Sequence, residues 1–163
     1  MRTDVITIRP LLISEIYMVA KHIPKFYQEF GEHPMGAAYR YNQAMFIRTW
    51  TAWLRMPEYI LLGAFDGDEW IGGLGGMISS HPYTLDTLTG YEHFWYVIPE
   101  RRKDGVGKQL IDAFEAWLKE RDVKFMMMVY IHGGPSEMMA KFYEKEGFMP
   151  FETQVLKSLQ EPS

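Results

Sequence analysis

The chain has 163 residues, a length that suits a single domain over 1–163 with a core of its own. Its 17 basic and 21 acidic residues leave a net charge of −4, which argues against a general nucleic-acid binder. Cysteine is absent, so disulfides, thiolate metal sites and a cysteine nucleophile are excluded, in keeping with a reducing compartment.

In chain order, Val5–Ile8 is β-branched and closed by Pro10, which predicts a first strand. Ser14 and Glu15 open a helical pattern through Ile16, Val19, Ala20 and Ile23, with a break expected at Pro24. Gly31–Gly36 reads as a loop, and Tyr39–Arg55 as a second helix striped by Met45, Phe46, Trp50 and Trp53. Tyr59–Phe65 and Trp70–Ser80 are strands joined by Asp66-Gly67-Asp68-Glu69, a strong hairpin signal. The second of these carries Gly72-Gly73 and Gly75-Gly76, which predict a bulge or the close approach of another group. After a turn-rich stretch, Tyr91–Ile98 is an aromatic strand ended by Pro99.

Gly105–Arg121 is the clearest helix, apolar at Val106, Leu110, Ala113, Phe114 and Trp117. Phe125–Ile131 is the longest apolar run, far short of the ~20 residues of a membrane span, and reads as a strand covered on both faces. Gly133-Gly134-Pro135 breaks it. Ser136–Glu146 is a capped helix stopped by Gly147, and Phe148–Leu159 is extended, with one or two last strands. The order β-α-α-β-β-β-α-β-α-β predicts an α/β protein with a mixed sheet and helices on its faces. The start of the chain shows no apolar stretch of signal-peptide length, so a cytoplasmic protein without a membrane partner is expected.

Ligand motifs were tested against this order. A Walker A loop fails because Arg102 stands where its first glycine belongs, and Gln109 replaces the hydroxyl residue. The dinucleotide fingerprint fails at Leu110. The histidines are scattered and form no metal-ligand pattern, so no metal is expected. What remains is Val97 to Gly107: a strand, a basic loop, then glycines entering a strong helix. The first amides of a helix lack internal partners and, with the helix dipole, suit a phosphate or pyrophosphate. Arg101, Arg102 and Lys103 add local positive charge to an acidic chain.

Arg102-Lys103-Asp104-Gly105-Val106-Gly107 resembles the Arg/Gln-x-x-Gly-x-Gly/Ala signature of the GCN5-related N-acetyltransferases (GNAT). Tyr143-Glu144-Lys145-Glu146-Gly147-Phe148 resembles that family's Tyr-x-x-x-Gly-Phe block, and Ile8-Arg9-Pro10 and the Gly72-Gly73 strand fit as well. The stretch around His132, Tyr143 and Glu152 also looks like small acetyltransferases of bacteriophage genomes, whose seat would be the host cytoplasm. The resemblance implies acetyl-CoA bound where two parallel strands, Tyr91–Ile98 and Phe125–Ile131, splay apart. Pantetheine would then lie along Tyr96, Val97 and Ile98. The pyrophosphate would sit on the amides of Arg102, Lys103, Asp104, Gly105, Val106, Gly107 and Lys108, with His132 as a further contact.

For catalysis the resemblance implies Tyr143 as the acid that protonates the departing thiolate, and Glu92 as the base. His93 is the alternative base, and a third alternative is water with no dedicated base. An acceptor lysine-like ammonium titrates near 10.4 and must lose a proton before it can attack. Simple strand alternation puts Glu92, Phe94 and Tyr96 on one face and His93, Trp95 and Val97 on the other. Phe26, Tyr27, Tyr39, Tyr41 and Trp50 are candidates for an acceptor pocket, although core packing is the simpler role for most of them. With no cysteine to carry an acetyl group, direct transfer to a small-molecule amine or a protein amino group is expected. The competing reading is a non-catalytic CoA-binding or assembly protein on the same fold. The sequence leaves the acceptor and a homodimer open.

Overall fold

The computed structural model describes residues 5–30, 39–132 and 136–159. The loop read at Gly31–Gly36 and the break at Gly133-Gly134-Pro135 lie outside the described residues. Two compact units form: Met1–Pro24 with Asn42–Val129, and Lys25–Tyr41 with Tyr130–Ser163.

The first unit is built on a five-stranded sheet in the order β1-β2-β3-β4-β5. These strands are β1 (Ile6–Pro10), β2 (Tyr59–Asp66), β3 (Glu69–Ser80), β4 (Leu88–Val97) and β5 (Phe125–Met127). β1 to β4 form an antiparallel meander, and β5 returns parallel to β4. The mixed α/β class is as expected. The Asp-Gly hairpin also forms where it is read, with Asp66 paired to Glu69 and Gly67 at φ 60°.

The helices are α1 (Ile16–Ala20), α2 (Ile23–Phe30), α3 (Gln43–Trp53), α4 (Val106–Lys119) and α5 (Ser136–Lys145). α2 runs from the first unit into the second, and α5 lies within the second. The break between α1 and α2 falls at Lys21–His22 rather than at Pro24. Proline is tolerated there because it sits in the first turn of α2, where its missing N–H would have no helical partner. α3 starts at Asn42, whose side chain accepts the Met45 N–H at 2.9 Å, an N-cap not foreseen from the sequence.

The first unit's core lies on both faces of the sheet. α4 buries Val106, Leu110, Ile111, Phe114 and Leu118, each worth about 1.5–3 kcal/mol when fully removed from water. α1 and α3 supply Ile16, Val19, Ala20 and Trp50. The β3 glycines make room for both helical layers. A Cβ at Gly75 would collide with Trp50 of α3, and one at Gly76 would come within 2.5 Å of Phe114 of α4. The close approach read from these glycines is therefore aromatic packing.

Two strand expectations are corrected. β5 pairs only over Phe125–Met127, not to Ile131, and it is an edge strand with Phe125 61% exposed. An apolar run alone does not reveal that one flank has no neighbour. Residues 148–159 form no strand, and Met149, Phe151, Val155 and Leu159 are exposed.

Candidate functional site

β4 makes the site because it outlasts its parallel neighbour. The β4–β5 ladder ends at Tyr91–Met127, while β4 continues paired to β3 as far as Val97. Where the strands part, the Val129 N–H donates to the Glu92 carboxylate at 3.1 Å. Glu92 is half-buried, and burial pushes its carboxyl up to about 7, against the opposing pull of that backbone N–H. A group poised there exchanges protons near neutrality.

A bulge separates Glu92 from its neighbours. Gly76 pairs with Glu92 and Gly75 with Phe94, leaving His93 as the extra residue. His93 and Phe94 both reach Trp50 of α3, at 6.1 and 5.9 Å between ring centroids. Glu92 shares its face with Gly76, on the side of Phe114 in α4. Trp95 lies on that side too, since a Cβ on Gly107 of α4 would come 2.8 Å from its ring. The simple alternation that grouped Glu92 with Phe94 and Tyr96 is therefore wrong, because one inserted residue flips everything beyond it. His93 stacks on Trp53 at 4.7 Å and beside Tyr59 at 6.0 Å, and burial lowers its pKa although part of the residue stays exposed.

Backbone direction along the rest of β4 follows from one bond. The Ile98 N–H donates to the Ile71 carbonyl of β3 at 3.0 Å. Antiparallel alternation then turns the backbone groups of Tyr96 and Ile98 toward β3, and those of Trp95 and Val97 toward the open edge. Of the three residues expected to pair with pantetheine, Val97 thus faces the opening. Its carbonyl accepts from Arg102 Nε at 2.9 Å.

The loop after β4 is a 3₁₀ turn, Pro99–Arg101, followed by Arg102, Lys103, Asp104 and Gly105. Gly105 is left-handed, φ 73°, and precedes α4. An added Cβ there would touch nothing, so glycine is needed for the backbone angle alone. The i→i−4 bonds of α4 begin with the Gln109 N–H on the Gly105 carbonyl at 3.1 Å. The amides of Val106 and Gly107 precede that bond at the helix end, a fit to a pyrophosphate. Glycine at 107 also makes room for the Trp95 ring, 2.8 Å from where a Cβ would stand.

The basic run is less available than its sequence implies. Arg101 pairs with Asp66 at 2.5 Å and with Asp104 at 2.6 Å, while Lys108 pairs with Asp112 at 2.8 Å. Sequence reasoning missed the Arg101 cluster, since Asp66 lies 35 positions upstream.

The second unit holds Tyr143, His132 and the aromatic candidates other than Trp50, which lies buried in the first. Tyr143 is buried against Phe148 at 5.3 Å and Tyr130 at 6.0 Å. α5 ends in a Schellman motif: the Phe148 N–H meets the Tyr143 carbonyl, the Gly147 N–H meets the Glu144 carbonyl, and Gly147 has φ 88°. The Tyr-x-x-x-Gly-Phe block is therefore a helix stop whose ring pair closes it. His132 is exposed, 5.9 Å from Tyr130 between rings. Tyr27 lies 5.4 Å from Tyr41 and 5.7 Å from Phe26, and burial raises the Tyr41 phenol to about 12. Tyr39 is exposed.

The chain belongs to the Acetyltransferase (GNAT) family, whose model matches residues 19–148. It is similar to a GCN5-related N-acetyltransferase from Ralstonia eutropha JMP134, at 26% identity over 95% of this chain and 99% of that one, with TM-score 0.75. A predicted acetyltransferase from Clostridium acetobutylicum, solved with acetyl-CoA, shares 16% identity over 95% and 97% of the two chains, with TM-score 0.76. The aminoglycoside N-acetyltransferase AAC(6')-Iy, solved with CoA, shares 15% over 96% of each, with TM-score 0.76. Among curated proteins none matches the chain by sequence. Membership of this family makes acetyl transfer the chain's class of activity.

Proposed function

We propose that the protein moves the acetyl group of acetyl-CoA directly to a primary amine within a ternary complex. The observation that carries this reading is the Glu92 carboxyl, held near neutrality where β4 and β5 part, beside the strand edge that leads to the anion loop. Bound acetyl-CoA supplies the activated thioester. Glu92 takes a proton from the acceptor ammonium, directly or through water, and so frees its lone pair. A backbone N–H on the open side of β4 donates to the acetyl oxygen as charge develops. Val97 lines the pantetheine arm. The amides from Arg102 to Lys108, chiefly Val106 and Gly107, hold the pyrophosphate, with the exposed Lys103 beside them. Tyr143 protonates the departing thiolate, a role supported by its place in the family block. His132 is retained as a polar contact on the same ground.

The acceptor is a small-molecule amine or a protein amino group. The named activity of AAC(6')-Iy favours amines as the class. No described helix is long and apolar enough to cross a membrane, and we place the reaction in the cytoplasm. The test is CoA release from acetyl-CoA across a panel of polyamines, aminoglycosides and lysine peptides. Turnover with an amine is the expected result. CoA binding with no turnover on any acceptor would support the non-catalytic reading instead.

A further inference from the structure

Asp104 poses an electrostatic problem for an anion loop. It sits one residue before Gly105, beside the helix start whose amides are read as the pyrophosphate seat. A carboxylate there repels a bound diphosphate. Helix N-termini also favour any negative charge, so an unrestrained Asp104 would compete for the same amides.

Arg101 answers both effects. Its Nε meets the Asp104 carboxylate at 2.6 Å, and the Asp104 N–H donates to its own carbonyl at 3.3 Å. Its Nη1 meets Asp66, the last residue of β2, at 2.5 Å. The guanidinium fork thus satisfies one carboxylate in the loop and one on the sheet. The nearby Arg102 is turned to the Val97 carbonyl.

We propose that Arg101 is a positioning residue for the co-substrate. By pairing with Asp104 it cancels the loop's own negative charge and holds that carboxylate off the helix-start amides, and through Asp66 it anchors the loop to the β2 end of the sheet. Arg101 touches no reacting atom in this account. The proposal rests on the reading of the loop as the pyrophosphate seat.

The experiment is calorimetric titration of CoA into the full chain and its variants. A freed carboxylate beside a diphosphate in a solvated loop should weaken binding about fivefold to tenfold, so Arg101→Gln is expected to raise the Kd by that factor. Surface pairs add little to stability, so the variant should fold, which a thermal melt checks. Arg101→Lys keeps the charge but not the fork that reaches both carboxylates, so its affinity should fall between those of the parent and Arg101→Gln. Adding Asp104→Asn to Arg101→Gln should restore most of the lost affinity, an outcome that a merely structural role would not produce. Unchanged binding in Arg101→Gln, a full loss in Arg101→Lys, or no rescue by Asp104→Asn would each overturn the role of Arg101. Failure of the parent chain to bind CoA would overturn the loop reading and this proposal together, and that result is visible before any variant is made.

Discussion

The base role we propose for Glu92 depends on where a strand ladder stops. A carboxyl near 7 is half-ionised at neutral pH, the condition in which a base both holds and releases a proton. The expected kcat/KM profile rises with pH through about 7 on its acid side. Glu92→Gln should lower kcat by about 10²-fold and abolish that limb, the typical contribution of a positioned base. Stopped-flow CoA release over pH 5–9 reads both. Tyr143→Phe keeps the ring that closes the α5 stop, so folding and CoA affinity should hold while kcat falls by about 10²-fold. Single-turnover kinetics beside calorimetry separates the two effects. The residue types at both positions were legible in the sequence, but the surroundings that tune Glu92 were not. Its partner Val129 lies 37 positions away, and no local pattern marks where two strands diverge.

At the level of elements, the glycines divide into those needed for angle and those needed for room. Gly105 and Gly147 have positive φ with open space around them, so alanine there costs about 1–2 kcal/mol of backbone strain. Gly107 has ordinary helical geometry but no room beside Trp95. Gly107→Glu is expected both to displace Trp95 and to weaken CoA binding by more than about tenfold, because charge and bulk reach the helix start together. Near-parent affinity by calorimetry in a folded variant would refute the placement of the pyrophosphate. Element order, the hairpin and α4 were readable from periodicity and turn chemistry. The bulge at His93 was not, since nothing in Glu92-His93-Phe94-Trp95 differs from a regular strand. The shortness of β5 was equally hidden, because apolar composition is the same for a paired segment and an unpaired one.

For the molecule as a whole, two carboxylates tilt stability with pH in opposite directions. Arg9 grips Glu15 at 2.7 and 2.8 Å, and this hydrogen bonding, with a further bond from the Leu12 N–H, lowers the Glu15 carboxyl to about 2. Its contribution is present above the ordinary value of 4.5 and is lost as pH falls through about 2. Glu92 is raised instead, so its contribution is present below 4.5 and is lost as pH rises through about 7. Thermal melts should therefore show Glu15→Gln less stable than the parent at pH 7, with the gap closing toward pH 2. Glu92→Gln should melt higher than the parent at pH 8, and the gain should vanish near pH 4.

Length, charge and the missing cysteines described an acidic chain without thiol chemistry, and only together with the family resemblance did they favour the direct transfer we propose. The two family blocks located the anion loop and the Tyr143 helix stop, because caps and turns are written in adjacent residues. Contacts between distant segments obey no such local grammar. Folding alone brought Asp66 to Arg101, Val129 to Glu92 and Trp95 to Gly107. The −4 charge shows the same division. Counted along the chain, Arg101-Arg102-Lys103 is a basic patch; in space, Arg101 is paired with two carboxylates, and the anion site we propose rests on backbone amides.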